Sequence, residues 1–149
     1  MPDFLETMVD KFSFKVATDR CYTDQGVWAK AEGTRVRIGV SDFLQQRSGD
    51  VAFAEVRATG TAVGFGDEVA VIETIKVNIS LVSPLAGVVA DTNPAMSTAP
   101  EAINQDPYGA GWLADLEATD WEADRLRLLN AEAYFRLMKG QAEEEAKKA

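Results

Sequence analysis

The chain contains no histidine and a single cysteine, Cys21. It therefore has no Cys/His set for a zinc site or a Cys–His catalytic pair, and one thiol cannot close an intramolecular disulfide. Several enzyme classes fall away on these grounds alone. No run of eighteen apolar residues occurs, so nothing reads as a membrane-spanning helix. The opening MPDFLETMVDKF carries acids where a signal peptide needs a basic flank and an apolar stretch, and a cytoplasmic chain is expected. Bases are scarce as well: 24 acids face 15 Lys and Arg, a net charge of −9. That balance repels phosphate backbones and anionic membrane surfaces and argues against nucleic-acid binding. The excess is heavier towards the end, with 11 acids and 6 bases in residues 101–149 against 13 and 9 in residues 1–100. Solubility is the simpler reading of this acidity, and steering towards basic docking sites the sharper one.

At 149 residues and 46% hydrophobic content the chain is long enough for one domain with an ordinary core. Residues 3–12 place Phe4, Leu5, Met8 and Phe12 at helical spacing, which predicts a short helix. From Val27 to about Val89 the pattern becomes short alternating runs cut by Gly, Asp and Pro, the mark of a compact β domain. In RVRIGV, Val36, Ile38 and Val40 share one face and Arg35 and Arg37 the other. SDFLQQRSG predicts a helix capped by Ser41 and stopped at Gly49. VAFAEV, VAVIETI, VNISLV and VVA read as strands, and WLADLEA (112–118) as a last one with Trp112, Ala114 and Leu116 on one face. Between the last two, NPAMSTAPEAINQDPYGAG reads as loop or one-turn helix. The remainder predicts a helix from about Trp121, with Leu126, Leu129, Ala133 and Leu137 inward and Asp120 and Asn130 as caps. Past Gly140 the tail QAEEEAKKA has little apolar surface and is expected to fray.

The segment VAVIETIKVNISLVSP runs two apolar strands into each other around Lys76. A hairpin here sets Lys76 at its tip with Glu73 just before it, holding the lysine away from the body of the protein. A swinging-arm carrier requires that geometry, because a tethered group must enter several active sites while its anchor stays rigid. Lys76 is also the only lysine between positions 31 and 138; the other basic residues there, such as Arg35, Arg57 and Arg127, are arginines. Spacing alone nonetheless favours an ordinary solvated turn lysine.

Family motifs reverse that order. YTDQGVW (22–28), GVSDFLQQRSGDVAFAEV (39–56), ETIKVNISLVSPLAG (73–87), INQDPYGAGWL (103–113) and LLNAEAYFRL (128–137) together resemble the H-protein family of the glycine cleavage system, in the same order and over Cys21 to about Met138. The resemblance implies a mainly β (α+β) barrel-sandwich hybrid with C-terminal helices. It divides the chain into an N-terminal extension (1–20), the lipoyl domain (21–140) and the tail (141–149). It also implies lipoate attached covalently to Lys76, with Glu73 equally a ligase-recognition acid or a solvated hairpin acid. Asn104, Asp106, Pro107, Tyr108, Gly109, Gly111 and Trp112 fit a structural loop.

The implied function is that of a monomeric, non-catalytic carrier. It would shuttle an aminomethyl group and reducing equivalents among glycine decarboxylase, aminomethyltransferase and dihydrolipoyl dehydrogenase, after loading by a lipoate-attaching enzyme. Gly26 stands where the family carries a histidine that the resemblance assigns to the cleft receiving the loaded arm. This departure keeps open a carrier with other cargo (sulfur, redox or lipoyl relay). An unmodified interaction module is the alternative from another class. Cys21 is expected to be a buried structural residue rather than a thiol-exchange partner.

Overall fold

Alternation at period two, broken by turn residues, shapes most of the molecule. A computed structural model describes residues 3–148. In chain order the elements are β1 (Phe4–Val9), β2 (Phe12–Ala17), β3 (Cys21–Tyr22), β4 (Val27–Glu32), β5 (Arg35–Val40), α1 (Asp42–Ser48), β6 (Val51–Val56), β7 (Ala62–Val63), β8 (Glu68–Thr74), β9 (Asn78–Val82), β10 (Gly87–Thr92), α2 (Ala95–Thr98), α3 (Ala102–Gln105), β11 (Ala114–Ala118), α4 (Trp121–Asp124), a 3-10 turn at Arg125–Arg127, and α5 (Ala131–Lys148). A six-stranded sheet runs β3-β4-β5-β11-β10-β7, and a three-stranded sheet runs β6-β8-β9. The expected mainly β class with a helical C-terminus is the one observed.

One core lies where the two larger sheets meet, and β5 shows how the sequence builds it. Val36, Ile38 and Val40 are buried, whereas Arg35 and Arg37 face outward to pair with Glu117 and Asp115 of the neighbouring β11. Val69 and Ile72 of β8, Leu81 of β9 and Leu116 of β11 complete the same cluster. The strand at WLADLEA is two residues shorter than its motif, because Asn93 Nδ2 donates to the carbonyls of Ala110 and Trp112 and holds that approach as a turn.

Three local expectations change. Residues 4–17 form an antiparallel hairpin rather than a helix, with Phe4 opposite Ala17 and Val9 opposite Phe12. A ten-residue helix is marginal alone. Pairing instead satisfies the backbone and aims Phe14 and Val16 at a second core, leaving Met8 68% and Phe12 52% exposed. The helix expected from Trp121 is interrupted, because the Leu129 amide donates to the Tyr22 carbonyl at 2.8 Å and the Tyr22 amide donates back at 2.9 Å. Only then does α5 begin, capped by Asn130 Oδ1 accepting the Ala133 amide at 2.8 Å. Its inward face is Ala131, Tyr134, Met138 and Ala142, while Leu126 is 76% exposed. Finally, residues 141–148 continue α5 instead of fraying, since Ala142 is buried and Glu145 bonds Arg47 of α1 at 2.7 Å. Ala149 lies outside the described residues.

This second core joins the hairpin, α1, β3 and α5. Tyr22 and Tyr134 stack with ring centroids 4.4 Å apart, and Phe14 meets Phe43 edge-on at 5.3 Å. Such pairs contribute roughly 0.5–1.5 kcal/mol beyond the area they bury.

Candidate functional site

Helix α1 and the β8–β9 hairpin build the site between them. Ser41 Oγ accepts the Leu44 amide and starts α1, as expected. The helix stops at Gly49, whose φ of 92° is a conformation L side chains rarely adopt. The chain then enters β6, the edge neighbour of β8. Asn104 locks this junction: its Oδ1 accepts the Val51 amide at 2.9 Å, and its Nδ2 donates to the Gly49 carbonyl at 3.0 Å and to Gln45 Oε1 at 3.1 Å.

Strands β8 and β9 meet in the turn Ile75–Lys76–Val77. Thr74 holds it: its Oγ1 accepts the amides of Lys76 and Val77 at 3.2 and 3.0 Å and donates to the Val77 carbonyl at 3.0 Å. The Thr74 amide also donates to the Val77 carbonyl, and the Ile75 amide reaches the Asp50 carbonyl of the α1–β6 junction. Backbone at the tip is thus anchored on both sides, while Ile75 and Val77 flank Lys76 at 78% and 47% exposure. Glu73 lies exposed just before the turn, opposite Phe53 on β6 and Asn78 on β9. Glu73 and Lys76 share the hairpin, yet neither belongs to an ion pair among the described residues.

The lysine stem does not stand free of the body. A Cβ on Gly49 would come 3.1 Å from Lys76 Cε, so the side chain leans across the end of α1. There it forms one wall of a groove of about 370 Å³ whose other walls include Phe12, Phe14, Phe43, Arg47 and Ala142. Sequence reasoning missed these residues. The signal was the alternation in FSFKV, which puts Phe12 and Phe14 on one face of a strand. A second cavity across α1 is lined by Gln25, Leu44, Arg47 and Val77, so Arg47 borders both.

Gly26 lines neither of these cavities. It is buried with φ 104°, and a Cβ there would stand 2.9 Å from the Tyr134 hydroxyl and 3.0 Å from Ser41 Oγ. Those two hydroxyls bond each other at 2.8 Å, so this turn is closed by packing. Cys21 is half-buried on β3 rather than fully enclosed, and burial pushes its thiol pKa up, which opposes nucleophilic use.

The loop expected to be structural ties elements together. The Pro107 carbonyl accepts Trp28 Nε1–H at 3.0 Å, and the Tyr108 hydroxyl donates to the Lys15 carbonyl at 2.9 Å and accepts the Asp42 amide at 3.3 Å. Trp112 is half-buried beneath the Arg37 guanidinium, 3.8 Å from its ring centroid. Among the described residues no cluster of acids, Cys and His is placed to hold a metal ion, and no helix is long and apolar enough to cross a membrane.

Similarity to known proteins covers most of the chain. The family model described as "Glycine cleavage H-protein" matches residues 20–141. A "Glycine cleavage system H protein" of Thermus thermophilus is 38% identical over 127 residues, which is 85% of this chain and 98% of the relative. The "Probable glycine cleavage system H protein" of Natronomonas pharaonis is 39% identical over 124 residues, 82% of this chain and 95% of the relative. A crystal structure of a glycine cleavage system H protein from Mycobacterium marinum matches with a TM-score of 0.73 at 30% identity, covering 80% of this chain and 95% of that one. Residues 1–19 and 142–149 fall outside the matched family segment.

Proposed function

Because the chain belongs to the glycine cleavage H-protein family, we propose that it is a lipoyl carrier whose arm is attached through the Nζ of Lys76. It shuttles an aminomethyl group and reducing equivalents between the glycine cleavage enzymes: a decarboxylase, an aminomethyltransferase and a dihydrolipoyl dehydrogenase. The observation that carries the attachment site is the exposed hairpin tip. Thr74 and the Asp50 carbonyl hold its backbone, while the lysine side chain is left to be modified.

When bound, the lipoyl group supplies a redox-active disulfide at the end of a flexible chain. The residues of this protein supply position. A rigid anchor with a mobile tether keeps the group at an effective concentration on the order of mM at each docked partner, without a tight site of its own. Catalytic groups then belong to the partners and the chain acts as a non-catalytic subunit. The acidic surface suits docking on basic faces. Glu73, exposed beside the tip, is read as a contact for the lipoate-attaching enzyme.

Intact mass after co-expression with a lipoate ligase tests this. One lipoyl group is expected on the wild-type chain and none on Lys76→Arg, and Glu73→Gln should slow loading several-fold. An adduct that survives Lys76→Arg would reject the assigned lysine.

A further inference from the structure

Exposed apolar side chains reach the surroundings of Lys76 from two parts of the chain. Its sequence neighbours Ile75 and Val77 are 78% and 47% exposed. Across the groove of which Lys76 is one wall stands the β1–β2 hairpin, whose Phe12 lines that groove and is 52% exposed. This hairpin lies outside residues 20–141, the segment the family model matches. We propose that the β1–β2 hairpin is a recognition element for the enzyme that loads Lys76, with the Phe12 ring as the side chain that enzyme grips; the proposal rests on attachment at Lys76.

The chemistry at Nζ says what must cover this surface. Loading breaks the bond between an activated lipoyl carbonyl and its leaving group, AMP where ATP activates the acid, and forms the amide to neutral Nζ, which gives up a proton. That exchange needs Nζ inside the active site of the enzyme with water kept out. A specific contact covers roughly 800 Å² of each partner, a disc on the order of 15 Å in radius. A groove that Lys76 itself lines falls inside such a footprint. The side chains that lose water there are Ile75 and Val77 at the tip and Phe12 across the groove.

Phe12 is the ring available for contact, because Phe14 on the same strand face is already buried against Phe43, with centroids 5.3 Å apart. A half-exposed aromatic ring near the centre of a footprint is the usual kind of affinity anchor. The hairpin also stands at a fixed distance from its target. Gln46 Nε2 of α1 donates to the Ser13 carbonyl at 2.9 Å, and the Lys15 amide donates to Asp42 Oδ2 at 3.0 Å. Helix α1 ends at Gly49, across which the Lys76 stem lies, so one short helix sets the separation of ring and lysine. Such preorganisation removes an ordering cost from docking. Met8 supplies an internal contrast: it is 68% exposed on the same hairpin, yet it points to the opposite strand face and does not line the groove.

The test follows loading of the full-length chain by the lipoate ligase of the same organism, with free lipoate and ATP, using intact mass as the readout. Phe12→Ser should raise KM for the chain about tenfold with kcat little changed, as for loss of a docking contact. Phe12→Leu keeps apolar bulk and should stay within about threefold of wild type. Met8→Ser should load like wild type, and thermal melts check that all three variants are folded. A folded Phe12→Ser chain loaded at the wild-type KM, or an equal rise in KM for Met8→Ser, would overturn recognition through this face and leave the carrier reading intact. A wild-type chain that takes no lipoyl group would overturn both.

Discussion

Three hydrogen bonds converge on Asn104, two ending on the junction across which the Lys76 stem lies and the third on Gln45 of α1. Asn104→Ala leaves the Val51 amide and the Gly49 carbonyl without this partner, which is expected to cost about 1–3 kcal/mol. Urea unfolding should show a lower midpoint at unchanged slope. Asn104→Asp keeps the acceptor and loses the donor, and should fall between; a midpoint equal to wild type in the alanine variant would show that the clasp contributes nothing. The loop motif NQDPYGAG was legible as structural because its Pro and Gly announce a turn. Its bonding partner was not, since Val51 lies 53 positions away in the chain. Gly26 shows the same limit. Its residue type is plain in the sequence, but only the Tyr134 hydroxyl beside it shows why no side chain is accommodated.

At the scale of elements, α5 separates pattern from packing. The leucines at helical spacing suggested the inward face, yet Leu129 pairs with β3 and Leu126 points to solvent, because the backbone exchange with Tyr22 breaks the helix between them and Tyr134. Met138, fully buried against the hairpin and β3 cluster, should cost about 2–5 kcal/mol when truncated to alanine. Leu126→Ala should change stability by less than about 0.5 kcal/mol. Denaturant titration of the two variants side by side distinguishes these assignments, and a larger loss at Leu126 would contradict the described face. The α1 helix, by contrast, was readable throughout, because its cap, apolar pair and stop all lie within nine consecutive residues and depend on local bonds.

For the molecule as a whole, the second core fastens extension, sheet and terminal helix through three tyrosines from three segments: Tyr22, Tyr108 and Tyr134. Burial pushes all three phenols up, Tyr108 to about 12 and the other two further. A proton held more tightly in the folded state gives stability that is complete below the ordinary phenol value of 10 and is lost as pH rises above it. Stability should therefore be flat with respect to these groups up to about pH 9 and fall steeply beyond about 10. Phenolate absorbance should then rise together with loss of circular dichroism. Phenolate appearing well before unfolding would refute their burial. Tyr134→Phe, which removes one such proton and the bond to Ser41 Oγ, should flatten the alkaline slope.

Short-range patterns in the chain were enough for the β domain, the succession of its strands, the hairpin tip at Lys76 and the family, because alternation, caps and turn residues act over a few neighbouring positions. The missing residue types likewise ruled out zinc and Cys/His chemistry without any coordinates. Three-dimensional packing was needed to make the first residues a hairpin, to set the start of α5 and to place Lys76 beside an apolar groove. Each of those depends on partners far apart in the chain: Val9 and Phe12 meet Ala142 and Ala146 beside Lys76 only after the strands have paired and α5 has docked. Packing between distant segments leaves no periodic trace in either segment, and the groove beside Lys76 is made by such packing.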